Sequence, residues 1–395
     1  MATIPIEHSS DSRREFLRLG GENAMHCYQC ATCSSVCELA PADNPFPRRQ
    51  ILLAQWGLFD ELMGDPGPWL CHQCNDCSVR CPRDVRPGDI MASLRAMTVE
   101  KLAFPNFLGS LVGNVQKSWP LLVFGPILFW VVLLGLTTGF GEVETHHGLV
   151  PGPAMGQYFY DALVPHSLIY IVNFAAVGFV CLALFMSGTK FWKLMGDKQK
   201  RSGSFIGALI GVVIAIAFHT RFSSCERGVP KRRWGHFMVM WGFVGAAVAS
   251  GFAVVFLYAD IPPFSWFFAL PFFSDIGYPV PITHWNKWLA NISAVLLVVG
   301  GIMLFANRLK RGDKLVGQTT AFDRFFLWLV LAVIATGVLT EVFRFVVPVP
   351  MAGLVVYVVH LGVVLSLFLT LPYSKFAHIF YRTLAMVHER MTGGK

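Results

Sequence analysis

The chain has 395 residues, of which 54% are hydrophobic and 14% charged, with a formal net charge of +8. A mean hydropathy of +0.53 excludes an ordinary soluble globular protein. The basic excess lies between long apolar runs, so it speaks for membrane topology and against a nucleic-acid footprint.

Residues Met1 to Phe16 contain no apolar core, so no secretory signal is expected and the polar N-terminal part is expected to stay in the cytoplasm. Two identical cysteine runs follow, 44 residues apart: Cys27, Cys30, Cys33, Cys37 and Cys71, Cys74, Cys77, Cys81, the last followed by Pro82. Both read C-x2-C-x2-C-x3-C, the ligand run of a two-cluster [4Fe-4S] module. A tight loop with cysteines three apart wraps three iron corners of a cubane, and the fourth thiolate comes from elsewhere. In the paired arrangement the fourth cysteine of each run crosses to the other cluster. Cys27, Cys30, Cys33 and Cys81 are therefore expected around one cluster, and Cys71, Cys74, Cys77 and Cys37 around the other. Zinc would be served by a C-x2-C pair matched to a distant pair, and disulfides belong to oxidising compartments and small secreted domains. Cys181 lies in an apolar run and reads as a small packed hydrophobe; His26 and His72 read as surface or cluster-shell residues.

Six segments beyond the cysteines reach the roughly 20 apolar residues that a spanning helix needs. They are Pro120–Phe140, Val164–Met186, Trp234–Tyr258, Trp288–Asn307, Phe325–Val347 and Gly353–Leu371. A further stretch, Phe205 to Phe218, is apolar but short, and reads as a re-entrant, interfacial or seventh spanning segment. With six spans starting from the cytoplasm, the internal connections hold ten, five and four Lys or Arg, while 141–163, 259–283 and 348–352 hold none. Cytoplasmic loops carry the Lys/Arg excess, so six spans with both termini inside are expected.

Ionisable residues in a bilayer are functional candidates by default. By depth, His236 lies near the inner end of the third span and His284 at the outer start of the fourth. His360 lies near the outer end of the sixth span, and His378 beyond its inner end. His360 and His378 are 18 residues apart, five turns, so one continuous helix would present both on one face. Two stacked b-type haems with imidazole ligands are the chemistry this suggests. Depth pairs His378 with His236 and His360 with His284. His166 rivals His284 for the outer haem, and His219 rivals His236 for the inner one. Glu341 and Arg344, spaced i, i+3 on the fifth span, can pair as a structural bridge, bind a haem propionate or handle quinol protons.

The stretch from Gly20-Gly21-Glu22 through C-Y-Q-C-A-T-C-S-S-V-C to W-L-C-H-Q-C-N-D-C-S-V-R-C-P-R-D-V-R-P-G-D resembles the smaller iron–sulfur component (HdrC) of heterodisulfide reductases. The membrane part, with R-R-W-G-H-F and L-P-Y-S-K-F-A-H-I-F, resembles the nitrate reductase gamma-type dihaem cytochrome b and the membrane component (HdrE) of heterodisulfide reductases. The fusion of the two is similar to the membrane components (QmoC) of quinone-interacting membrane-bound oxidoreductase (Qmo) complexes of sulfate-reducing bacteria. The resemblance implies a mainly α protein. A small helical two-[4Fe-4S] domain (1–115) would precede a six-helix transmembrane dihaem domain (116–395) in a bacterial inner membrane. It also implies menaquinol as electron donor, flavoprotein partners of the heterodisulfide reductase A type (Qmo A and B), and adenylylsulfate reductase as downstream acceptor. Another heterodisulfide-reductase-like complex with a different donor or acceptor is the alternative. Two positions depart from these families. Ala246 stands ten residues after His236, where the cytochrome family has its second partner histidine, and Cys37 is followed by Glu38 rather than proline. The chain shows no G-x-G-x-x-G or P-loop, so any flavin chemistry is expected in partner proteins.

Overall fold

The structure, a computed structural model, describes residues 10–40, 45–139, 164–198, 201–221, 230–257, 282–309, 314, 316–346 and 350–393. Among these residues all regular structure is helical. Short helices come first: α1 (Ser10–Phe16), α2 (Thr32–Ser35), α3 (Arg48–Gln55), α4 (Phe59–Met63), α5 (Gly67–Leu70) and α6 (Asp76–Val79). The longer α7 (Pro87–Leu102) and α8 (Asn106–Gly113) follow. The apolar helices are α9 (Val115–Thr138), α10 (His166–Lys198), α11 (Phe205–Ala217), α12 (Pro230–Leu257), α13 (Trp285–Leu309), α14 (Ala321–Phe345) and α15 (Pro350–Thr370), and α16 (Ala377–Met391) closes the series. Among the described residues six helical segments are long and apolar enough to cross a membrane, and they match the six expected spans within a few residues, apart from extensions at their ends; the expected ends Phe140, Tyr258 and Val347 lie outside the described residues.

The chain forms two compact units, Pro230–Leu309 and the remainder, Met1–Val229 with Lys310–Lys395. These units reflect packing, whereas the expected boundary at 115/116 rests on the families resembled. That boundary falls at the junction of α8 and α9, but apolar side chains on both sides of it share a core. Phe16, Trp69 and Met91 from the N-terminal helices pack in one cluster with Phe191 of α10, Val212 of α11 and Tyr381 of α16. Amphipathy explains the last of these. Ala377, Tyr381, Ala385 and His388 recur every three to four residues on α16 and are buried, forming the stripe that faces this core. Trp69 stacks on Tyr381 at 4.8 Å, and Phe191 meets Tyr381 edge-on at 5.2 Å.

The short apolar stretch is α11. Its 13 residues rise about 20 Å, short of the roughly 30 Å hydrocarbon core, so it does not add a seventh span. Ser204 caps it, accepting a hydrogen bond from the Gly207 N–H. Ala208, Val212 and Ala215 turn into the shared core, while Ile206, Ile210 and Val213 stay exposed on the other side.

The helix carrying His360 does not continue to His378. A 3-10 turn at Leu371–Tyr373 ends α15, and α16 restarts at Ala377. Pro372 supplies the reason, because it lacks the N–H that would continue the helical ladder. The five-turn register expected from the 18-residue spacing is therefore interrupted. Lys375, in the connection, pairs with Asp323 at the start of α14. There Thr320 and Asp323 form a reciprocal capping box.

In the second unit α12 and α13 pack as a pair. Gly235, Gly242, Gly245 and Gly300 line their contact, and a Cβ built on Gly300 would stand 2.8 Å from the Gly235 carbonyl oxygen. Small residues that let helix backbones approach are the usual device for packing inside a bilayer.

Candidate iron–sulfur centres and membrane histidines

The two cysteine runs fold into matching loops. Gln29 and Ala31 flank Cys30 with φ of 59° and 68°; Gln73 and Asn75 flank Cys74 with φ of 51° and 67°. Left-handed backbone is uncommon for residues with a Cβ, and its use on both sides of the middle cysteine curls each loop around a concavity. In each loop the N–H two residues after the first cysteine donates to its sulfur: Gln29 N to Cys27 Sγ at 3.4 Å and Gln73 N to Cys71 Sγ at 3.3 Å. The third cysteines, Cys33 and Cys77, sit in the one-turn helices α2 and α6, which pack on each other.

That packing carries the fourth cysteine of each run to the other loop. Cys27, Cys30, Cys33 and Cys81 line one cavity. Cys37, Cys71, Cys74 and Cys77 line a second. The donors stand around a space; among the described residues no three His, Cys, Asp or Glu side chains converge on one metal ion. This suits the separated corners of a cubane better than a single tetrahedral zinc. Burial sets the protonation of most of these thiols, and neighbouring cysteines add to it. Burial pushes the Cys33 thiol up to about 11, with Cys27 the next contributor. Burial likewise pushes Cys37 up to about 11, with Cys71 and Cys74 adding to it across the runs. Cys77 is raised further, again chiefly by burial. Cys30, exposed and hydrogen-bonded to the Thr32 hydroxyl, is lowered instead. Buried thiols held together in this way become thiolates when a multiply charged metal centre binds them.

Polar side chains brace both loops. Gln55 donates to the carbonyls of Ala24 and Cys27, both at 2.9 Å, and accepts from Gln29. Arg95 donates to Gln73 Oε1 at 2.9 Å and to the Cys71 carbonyl at 3.4 Å. Arg382 of α16 donates to His72 Nε2 at 2.7 Å. His72 is thus a buried shell residue tied to the far end of the sequence. Asp89 accepts from the Gln318 N–H at 3.0 Å, anchoring the segment before α14 to the same domain.

Residues 23–85 match the 4Fe-4S dicluster domain. Residues 147–394 match the family model of citrate utilization protein B. The chain belongs to the citrate utilization protein B family. The Escherichia coli protein of that name is 28% identical over 345 residues, 80% of each chain. The N-terminal domain also resembles an Archaeoglobus profundus protein of the heterodisulfide reductase HdrC type, 40% identical over 101 residues. That match covers 25% of this chain and about half, 52%, of the relative. The corresponding component of the H2:CoB-CoM heterodisulfide, ferredoxin reductase of Methanothermobacter thermautotrophicus is 39% identical over 77 residues, 19% of this chain and 41% of the relative. No solved structure matches. In this member of the citrate utilization protein B family the N-terminal domain is an iron–sulfur electron-transfer domain of the HdrC kind.

The candidate membrane ligands of this family member divide between the two units. His166, His219, His360 and His378 belong to the first and His236 and His284 to the second. His360 shares a hydrogen bond with Thr336 Oγ1 of α14 through Nδ1 at 2.9 Å, which leaves Nε2 available. Gly337 lies beside the ring, where an added Cβ would come within 3.1 Å of Cε1 and 3.8 Å of Nε2. His378 turns Nδ1 toward the Lys375 carbonyl, so Nε2 is its candidate ligand atom. His236 stands half-buried on α12, next to Gly235 in the contact with α13. His284 differs. Its Nδ1 accepts from the Asn286 N–H at 3.2 Å, a tautomer that places the proton on Nε2. His166 opens α10 with its ring stacked on Tyr170, next to Val164, which packs in one cluster with Val358 and Leu361 around His360. His219, in left-handed backbone after α11, is buried. Glu341 is half-buried one turn beyond Gly337 on α14, and the Arg344 side chain lies outside the described residues.

Sequence reasoning did not single out Gln55, Arg95, Thr336, Gly337 or Arg382. Arg382 had a signal: a cation four residues after a candidate histidine, on the same face of an amphipathic helix. The others are ordinary helix residues whose roles depend on partners far along the chain.

Proposed function

We propose that this chain is the membrane electron-transfer component of a quinone-linked oxidoreductase. In this reading Cys27, Cys30, Cys33 and Cys81 hold one [4Fe-4S] centre, and Cys37, Cys71, Cys74 and Cys77 hold the other. The observation that carries it is the lining of two cavities by four cysteines each, three from one run and one from the other. His360, His378 and His236 are proposed as haem ligands, each carried on a membrane-spanning helix or its continuation. For the remaining position the tautomer of His284 and the packing of α10 near His360 favour His166. When bound, iron–sulfur centres and haems supply one-electron chemistry, which joins a two-electron quinol to a soluble redox partner. The residues of this chain hold those groups, exclude water around them and brace their loops. Glu341, with Arg344, is the proposed group for quinol protons.

The excess of Lys and Arg in alternate connections supports a cytoplasmic cysteine domain and an inner-membrane location. In the Qmo-like form of the reading, menaquinol is oxidised, flavoproteins of the heterodisulfide reductase A type receive the electrons, and adenylylsulfate reductase is the final acceptor. A second reading of the partner is favoured by the reach of one comparison. The relative that spans 80% of both chains is named for citrate utilization, so the soluble flavoprotein would serve the oxidation or reduction of citrate or a similar carboxylate. Purification in mild detergent tests the common core. About eight iron and eight acid-labile sulfide per chain are expected, with a split b-type α band after dithionite reduction. Iron near four, or no α band, would sink the two-cluster or the dihaem part respectively. Identification of the co-purifying protein separates a sulfur-linked from a carboxylate-linked flavoprotein.

A further inference from the structure

The two cysteine cavities face different surroundings, although their loops match. The cavity lined by Cys37, Cys71, Cys74 and Cys77 lies beside α16. His72 of its loop is buried and receives Arg382, and the next helix back, α5, is fixed to α10 and α16 by the Trp69–Tyr381–Phe191 stack. All four of its cysteines are partly buried. The cavity lined by Cys27, Cys30, Cys33 and Cys81 carries the one exposed cysteine among the eight. Cys30 is exposed, and the neighbouring Tyr28 is 70% exposed. Arg83 lies over the Tyr28 ring, its guanidinium 3.9 Å from the centroid, and Arg48 lines the cavity itself. Among the described residues no carboxylate lines this cavity, whereas Glu38 and Asp76, with Arg80, line the other.

We infer that the face formed by Tyr28, Cys30, Arg48 and Arg83 is the docking surface for a soluble one-electron redox protein with an acidic rim. This rests on the proposed electron-transfer reading and adds a direction to it. The Cys71-to-Cys77 loop is the half turned to the membrane helices, and the Cys27-to-Cys33 loop is the half turned to the partner. Access and charge both point this way. Electron exchange between proteins needs a donor group near the surface, and Cys30 brings this site to it. An exposed aromatic and two guanidinium groups form a contact of the kind interfaces favour, Tyr at the centre and Arg around it. Their sign selects a partner surface rich in Asp and Glu, and the field of two cations raises the rate of correct encounter. Each encounter moves one electron: the partner is oxidised or reduced by one, the chain by one in the opposite sense, and no bond or proton is exchanged.

The test uses the full chain in detergent with both centres loaded, and flavodoxin as an acidic one-electron probe. Affinity at low salt is measured by biolayer interferometry. The expected result is binding that weakens with salt and falls about tenfold or more in the R48E/R83E double variant. Iron content is measured alongside, because neither arginine is a metal donor. Basic cytochrome c is expected to gain affinity for the same variant. On the opposite side, Arg382→Gln is expected to alter the electron paramagnetic resonance signal of one centre and leave flavodoxin affinity unchanged. Flavodoxin binding that is absent, or insensitive to R48E/R83E, would overturn the docking surface while leaving the proposed electron-transfer function standing. A chain that holds no iron and sulfide would overturn both. Weakened flavodoxin binding in Arg382→Gln, with R48E/R83E unaffected, would move the docking surface to the other loop.

Discussion

The crossing of Cys37 and Cys81 between loops yields a contrast that single substitutions do not. If each cavity holds one centre, Cys30 and Cys81 serve the same one, and Cys74 and Cys81 serve different ones. Serine is close to cysteine in size, so it removes a thiolate with little change in packing. From about eight iron atoms per chain, C30S/C81S is expected to keep about four, the same as either single variant. C74S/C81S is expected to fall toward zero. The assay is iron and acid-labile sulfide on full-length protein purified in detergent, with electron paramagnetic resonance to count the reducible centres left. The opposite pattern, with C30S/C81S near zero and C74S/C81S keeping about half, would mean that each run holds its own cluster. General loosening of the domain would lower both doubles equally and would also refute the assignment, since one intact cavity in C30S/C81S is the premise.

Gly337→Val is expected to remove one b-type haem signal and keep the iron–sulfur content, because its side chain would occupy the space beside the His360 ring, where even a Cβ comes within 3.1 Å. An unchanged α band would show that His360 is not a ligand. His166→Ala is expected to cost one haem and His284→Ala none; the reverse outcome would require the His284 ring to turn from the arrangement bonded to the Asn286 N–H. Trp69→Ala removes a 2% exposed indole stacked on Tyr381, a deletion of about 3–5 kcal/mol at a well-packed site. Hydrogen exchange should then quicken in residues 10–113 more than in α14 and α15, and equal protection in both regions would show that the stack does not hold the domain down.

The iron–sulfur domain was legible because the cofactor's own shape dictates the cysteine spacing, and the six apolar helices because bilayer thickness dictates length. Features that depend on partners distant in sequence were not. The 18-residue interval between His360 and His378 suggested a continuous helix, yet Pro372 sits within it and the ladder breaks there. The domains 1–115 and 116–395 that the resemblance implies carry no sign of contacts between them, yet Trp69 packs on Tyr381 far along the chain. Arg382 and His72 are separated by 310 positions, and no local pattern joins them. Depth alone favoured His284 as an outer ligand. That its Nδ1 accepts one backbone N–H is a detail of the turn entering α13 that no sequence pattern carries.

The contribution of α16 to the cysteine domain sets the order in which the protein can be built. Tyr381 and Arg382 are made after the first five spanning helices and α15. The core that holds the Cys71 loop therefore stays open on one side throughout membrane insertion, though residues 10–113 leave the ribosome first. Until α16 docks, His72, which lines the second cavity, lacks its Arg382 partner. The Arg382–His72 and Tyr381–Trp69 contacts therefore form only after the six spanning segments have been made.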